Sequence, residues 1–251
     1  MPFLFRSTSK IKRLDRKGWI SIFWVSICGG LLGTYFYTKA LSYVNYIDLS
    51  VVVLIQKLQP LFAIPLASIV LREKVSKSFI FLASTAILGG YLTTFGDKPF
   101  LFLDNKSIIA SLFALLASFC WGSSTVLGKA ALKQIPFELM TCIRLIVTGT
   151  VALLIITSSG NISDIYSLSF ENYKTIIVIV FTSGSIALSI YYYGLQRLAA
   201  SRTTIYELVW PLGAVLIDWL MRGKTLSLFQ MIGAIILVSS ITILTKENSS
   251  E

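Results

Sequence analysis

The sequence predicts an all-α integral membrane protein of eight transmembrane helices. Two observations predict it, and a third gives its internal order. Charge is scarce: 14% of the residues are Asp, Glu, Lys or Arg against 55% hydrophobic, with a mean hydropathy of +0.77. A soluble domain is typically about a quarter charged. The apolar residues also fall into runs of transmembrane length, and one three-run block resembles another. This composition excludes a disordered chain, a coiled coil, a collagen and almost any soluble enzyme.

Crossing about 30 Å of hydrocarbon takes roughly 20 mostly apolar residues. Eight runs meet that length: 19–44, 47–71, 78–96, 107–128, 137–158, 174–198, 203–221 and 226–245. Pro136 heads the fifth, where a missing N–H costs little. Asp97, Lys98 and Pro99 follow the third, and Ser158 to Asn161 follow the fifth. The longest connections, 97–106 and 159–173, leave no room for a soluble domain.

The net charge of +10 would suggest nucleic acid in a soluble protein, but here it is read by position. With residue 1 inside, the inner connections and adjoining helix ends hold fourteen Lys and Arg and the outer ones five. Cytoplasmic loops collect such cations, so both termini are expected in the cytoplasm, in a cell membrane, and no nucleic-acid partner is expected. The first run is too long for the core of a cleavable signal. The chain then divides into a basic cytoplasmic segment (1–17), a first repeat (18–96), an external loop (97–106), a second repeat (107–245) and a cytoplasmic tail (246–251). There is no histidine, and Cys28, Cys120 and Cys142 each stand alone in an apolar run. No phosphate loop, metal-ligand spacing or nucleophile elbow appears, so neither a cofactor nor an enzymatic activity is expected.

The repeat is visible without gaps. KLQPLFAIPLASIVLREKVS (57–76) lies on LVWPLGAVLIDWLMRGKTLS (208–227) at an offset of 151, placing Pro60 on Pro211, Leu61 on Leu212, Ala63 on Ala214 and Ser76 on Ser227. FYTKALSYV (36–44) is similar in kind to YYYGLQRLA (191–199). Run one thus pairs with six, two with seven and three with eight. A shift of five helices is odd, so the copies point in opposite directions, as in secondary transporters whose site lies between repeats. Runs four and five have no partner here. Met1 to Phe5, an apolar scrap ahead of the basic stretch from Arg6 to Lys17, reads as the end of a preceding helix. The expected architecture is a 5 + 5 inverted repeat truncated to 3 + 5.

The segments 33–76, FCWGSSTVLGKAAL (119–132), the helix carrying Arg144, and 191–221 resemble the drug/metabolite transporter superfamily, EamA type. That resemblance implies ten helices in two inverted halves, with a proline in the middle of the helix that carries Pro60, a glutamate at its inner end (Glu73) and a tryptophan in the helix of Trp121. Two departures stand out: the first two family helices are missing, and Lys224 occupies the position where the second copy usually has a glutamate.

Charges at membrane depth cost about 2.5–3.5 kcal/mol on insertion scales and usually face a cavity or a partner. Lys57, about ten residues into its run, is too deep to snorkel comfortably, and Gln56 and Gln59 flank it. Pro60 leaves the Gln56 carbonyl without its helical donor, so a polar cluster sits beside a helix break. Glu207 stands in the same relation to Pro211, and burial would make it a carboxylate able to exchange a proton, unless Arg197 or Arg202 neutralises it. Arg144 either holds an anionic substrate group or pins two helices; the resemblance favours a structural or gating role. Tyr192, Tyr206, Trp121 and Trp210 are the aromatic candidates for the path. Lys39 and Asp218 lie near helix ends, where snorkelling explains them. Gly29, Gly30, Gly33 and the Gly89-Gly90 pair permit close helix approach.

The expected function is secondary transport of a small solute by alternating access: efflux from the cell, either proton-coupled or facilitated. The rival is a truncated, non-transporting remnant or membrane assembly partner. A homodimer is one way to complete the path.

Overall fold

Helix is the only regular structure among the described residues, as the composition led us to expect. The computed structural model describes residues 11, 14–43, 45–46, 49–96, 105–160, 168–210, 212–213, 220 and 227–249. Among the described residues, six helices are long and apolar enough to cross a membrane: α1 (Arg16–Leu41), α2 (Val51–Val70), α3 (Lys77–Phe95), α4 (Asn105–Leu132), α5 (Phe137–Ser158) and α6 (Phe170–Arg197). They match the first six runs. A short helix α7 (Ala200–Tyr206) opens the seventh run, of which 211, 214–219 and 221 lie outside the described residues, and α8 (Leu228–Ser249) covers the eighth. Large apolar side chains such as Ile69, Phe81, Phe181 and Ile190 are exposed, which suits lipid and not water.

Helix starts run ahead of the apolar runs because polar caps set them. Ser76 accepts from the Phe79 N–H at the head of α3, and Ser169 from Asn172 at the head of α6, four residues before the run expected there. Asp15 caps α1: its carboxylate takes the Gly18 N–H at 2.6 Å and the Gln134 Nε2 at 2.9 Å, while the Asp15 N–H donates to Gln134 Oε1 at 3.1 Å. The bond from Gly18 first, then that from Gln134, holds the Asp15 carboxyl below its ordinary 3.8. A lowered folded value means the cap stabilises above the unfolded pKa and is lost as pH falls through the folded one. Thermal unfolding of Asp15→Asn should therefore differ most from the parent near neutral pH and converge with it well below pH 3.8; a difference constant with pH would contradict this.

The chain forms two compact units. One comprises the described residues up to Leu32 with Leu127–Leu198; the other comprises Gly33–Val126 with the described residues from Ala199 onward. In the first, α5 packs on a stretch of α1, Val25–Leu32, wound as π-helix. Thr148 donates to the Ser26 carbonyl there (2.8 Å), and its side chain lies against Gly30, which has no room for a Cβ. A second π stretch, Val180–Ile186, interrupts α6. The C-termini of α4 and α6 satisfy each other: Lys129 Nζ donates to the Leu195 and Gln196 carbonyls at 3.0 and 2.9 Å, and Gln196 Nε2 to the Leu132 carbonyl at 3.2 Å. Those carbonyls have no partner within their own helices.

In the second unit α3 and α8 pack backbone to backbone. A Cβ on Gly89 would stand 2.7 Å from Leu237 N, and one on Gly233 2.5 Å from Thr93 N. Phe79, Leu82, Ala83, Ala86, Leu237 and Leu244 extend this contact, joined by Ile205 and Leu208. Gly89 thus has the expected role of a small interface residue, whereas Gly90 has nothing within 4 Å of its missing side chain. A further cluster joins Ala40, Val51, Val52, Ile55, Phe95, Ala110 and Ala114.

Candidate functional site

The break in α2 follows from Pro60. With no N–H, it cannot bond the Gln56 carbonyl. The preceding turn tightens: Lys57 N–H reaches the Leu54 carbonyl at 2.9 Å and Leu58 N–H the Ile55 carbonyl at 3.1 Å, both three residues back. The helix restarts with Leu58 in the N-cap position and Pro60 in the first turn, where the missing donor does no harm. The end of α7 does the same. Leu208 N–H bonds the Ile205 carbonyl at 3.0 Å, and Trp210 N–H takes the Glu207 carbonyl at 3.2 Å. That carbonyl, expected to be released by Pro211, is therefore occupied; Pro211 itself lies outside the described residues.

The two broken turns carry the two charges singled out from the sequence. Lys57 Nζ lies 5.4 Å from the centroid of the Trp210 ring, within cation–π reach, and the Glu207 charge acts on the same ammonium. Lys57, Tyr206 and Glu207 are half-buried, and Trp210 is exposed. Gln56 and Gln59 are buried, at 4% and 3% exposure. Gln59 Oε1 has no hydrogen-bond partner, nor does Ser118 Oγ on α4. Leaving such a group buried and unbonded costs about 1–3 kcal/mol. Gly122 brings α4 onto this turn, since a Cβ there would stand 2.8 Å from the Gln59 carbonyl oxygen. Its neighbour Trp121 pairs with Tyr37 at 5.5 Å between ring centroids.

Arg144 and Tyr192 belong to the other unit and form a pair of their own. Arg144 Nη1 donates to the Tyr192 hydroxyl at 2.7 Å, and the guanidinium carbon lies 5.7 Å from the ring centroid. Tyr192 is 1% exposed, so this pairing pins α5 to α6. Of the three consecutive tyrosines, Tyr193 is exposed and sits against Phe137 and Arg197. Asp218 lies outside the described residues.

Two polar residues have roles that sequence reasoning missed. Glu73, noted above only as a resemblance, receives the Ala200 N–H (2.8 Å), the Ser201 N–H (3.1 Å) and the Ser201 hydroxyl (2.6 Å). Arg72, in the left-handed region at φ 57°, turns the chain that presents it. The signal was there in α7, whose own N-cap is Ala199 and supplies no side-chain acceptor. Lys129, one of the fourteen inner cations, is a helix-end donor. Glu73→Ala should destabilise the protein by about 1–2 kcal/mol, read as a lower melting temperature in detergent, with Glu73→Gln recovering part of the loss. An unchanged melting temperature would remove the cap from the account.

The sequence matches the EamA-like transporter family over residues 1–95 and 108–246. It is similar to the riboflavin transporter ImpX of Fusobacterium nucleatum subsp. nucleatum, with 38% identity over 251 residues, spanning 99% of this chain and 84% of that protein. It is also similar to the uncharacterized transporter sll1164 of Synechocystis sp., 26% identical over 242 residues, 91% of this chain and 66% of the other. A crystal structure of a protein superposes with a TM-score of 0.67 at 16% identity, over 88% of this chain and 74% of that one; this is a likeness of fold alone. A multi-pass protein of apolar helices, matched by the family along nearly its whole length and 38% identical to a named transporter, is a small-molecule transporter and not an enzyme: the chain belongs to the EamA-like transporter family.

Proposed function

We propose that this protein is a secondary transporter that carries riboflavin, or a close planar relative, by alternating access of two inverted repeats in the cell membrane, with both termini cytoplasmic. The observation that carries the reading is the placing of Lys57 and Glu207, each in the broken turn of one of the two sequence-related helices, with Trp210 beside Lys57. Broken helices with polar turns are how this class of carrier builds its binding site. Identity to a riboflavin transporter over 99% of the chain supports the substrate.

Further features support the repeat. The register that lays 36–44 on 191–199 also lays the π stretch Val25–Leu32 on Val180–Ile186, with Val25 on Val180 and Gly29 on Gly184. π turns are rare, and they are common at functional sites. The family match likewise falls in two stretches.

In this reading the solute leaves the cell, and Glu207 takes up and releases the coupled proton. Everted membrane vesicles test it. Labelled riboflavin should accumulate inside them when the lumen is acidified, and collapsing the pH gradient should release it. Accumulation no higher than in vesicles lacking the protein would overturn the proposal; accumulation indifferent to the gradient would remove the proton from it.

A further inference from the structure

The unbonded polar groups at the α2 break say what kind of molecular edge the path reads; this inference rests on the flavin reading above. Gln59 is 3% exposed and its Oε1 accepts no hydrogen bond. Across the helix contact, Ser118 is fully buried and its hydroxyl is equally unbonded. Helical serines and threonines normally return such hydroxyls to a carbonyl one turn back, as Ser123 and Thr125 on the same helix do with Cys120 and Trp121. Ser118 stands one turn before Gly122, on the same face of α4. Gly122 is where α4 meets the Gln59 backbone. The break therefore holds a buried acceptor at its own turn, and α4 carries a buried hydroxyl one helical turn from where it meets that turn. Apolar side chains would fill the same space without leaving polar atoms unpaired.

We infer that Gln59 is a specificity-determining residue: its Oε1 accepts a hydrogen bond from a ring imide N–H of the substrate, and the Ser118 hydroxyl donates to a carbonyl flanking that N–H. An imide edge presents acceptor, donor and acceptor in a row, which fits an amide oxygen beside a hydroxyl. The Glu207 carboxylate acts on the Lys57 ammonium and opposes a second anion there, so a phosphate dianion gains less compensation for leaving water. The substrate class is an uncharged planar heterocycle bearing an imide, and its phosphate ester is rejected.

Quenching of flavin fluorescence on binding to the full-length protein in lipid nanodiscs tests this with three probes: riboflavin, N3-methylriboflavin and riboflavin 5′-phosphate. The parent protein should bind the N3-methyl compound about tenfold more weakly than riboflavin, because the donor is gone. The phosphate ester should not compete. Gln59→Leu should weaken riboflavin by about the same factor and leave N3-methylriboflavin unchanged, so that the discrimination disappears. Equal binding of riboflavin and its N3-methyl derivative by the parent overturns the inference and needs no variant. Equal losses for both probes in Gln59→Leu make Gln59 a packing residue and leave the flavin reading standing. A parent protein that binds no riboflavin overturns both.

Discussion

Replacing Lys57 with methionine should lower flux of the proposed substrate, riboflavin, in reconstituted vesicles by about one to two orders of magnitude. The methionine keeps the length and packing of the side chain and removes the charged donor, whose bonds are worth about 1.5–3 kcal/mol. It also leaves Glu207 without the opposite charge that acts on it from α2. Both charges are half-buried, and removing one leaves the other less compensated than removing both. The double variant Lys57→Met/Glu207→Gln should therefore melt closer to the parent than Lys57→Met alone, yet remain deficient in flux. Flux restored in the double variant would make the pair a folding device and take Lys57 out of the path.

Gly89→Leu and Gly233→Leu are the substitutions expected to damage the fold most. A Cβ at Gly89 meets Leu237 N at 2.7 Å and the Gly233 carbonyl at 3.0 Å, and one at Gly233 meets the Gly89 carbonyl at 2.8 Å. These obstacles are backbone atoms, so relief requires separating α3 from α8. Overpacking a tight contact costs about 1–3 kcal/mol, and here the inserted group is a whole isobutyl chain. Size-exclusion profiles in detergent should show aggregated or poorly recovered protein for either leucine variant. Gly90→Ala, one residue away and facing open space, should behave like the parent or melt slightly higher, since alanine favours helix by about 0.5–1 kcal/mol. Equal behaviour of the Gly89 and Gly90 variants would contradict the close crossing.

What the sequence made legible is what local chemistry decides. Pro60 breaks α2 because it lacks a donor, and that is readable without knowing any neighbour. Six runs appear as helices because apolar length alone selects them. Their true starts were shifted by Ser169 and Asp15, caps that precede the apolar residues. The Gly89-Gly90 pair shows where local reading ends: both are small, and only the packing of α8 decides which one matters. Glu73 and Lys129 were missed because their partners, Ser201 and Leu195, lie far along the chain. The π turn of α1 was equally hidden, since the Thr148 hydroxyl that bonds its Ser26 carbonyl comes from α5. The charge relation between Lys57 and Glu207 stood between these cases. The repeat suggested it, and it took the packing of α2 with α7 to bring it about.

Carriage of a flavin past the α2 break is measured most directly by counterflow. Purified protein is reconstituted into liposomes loaded with unlabelled riboflavin and diluted into a trace of labelled riboflavin. A transient overshoot of label is expected in the parent and none with Lys57→Met at equal protein recovery. No overshoot in the parent, or an equal overshoot in both, would contradict that carriage.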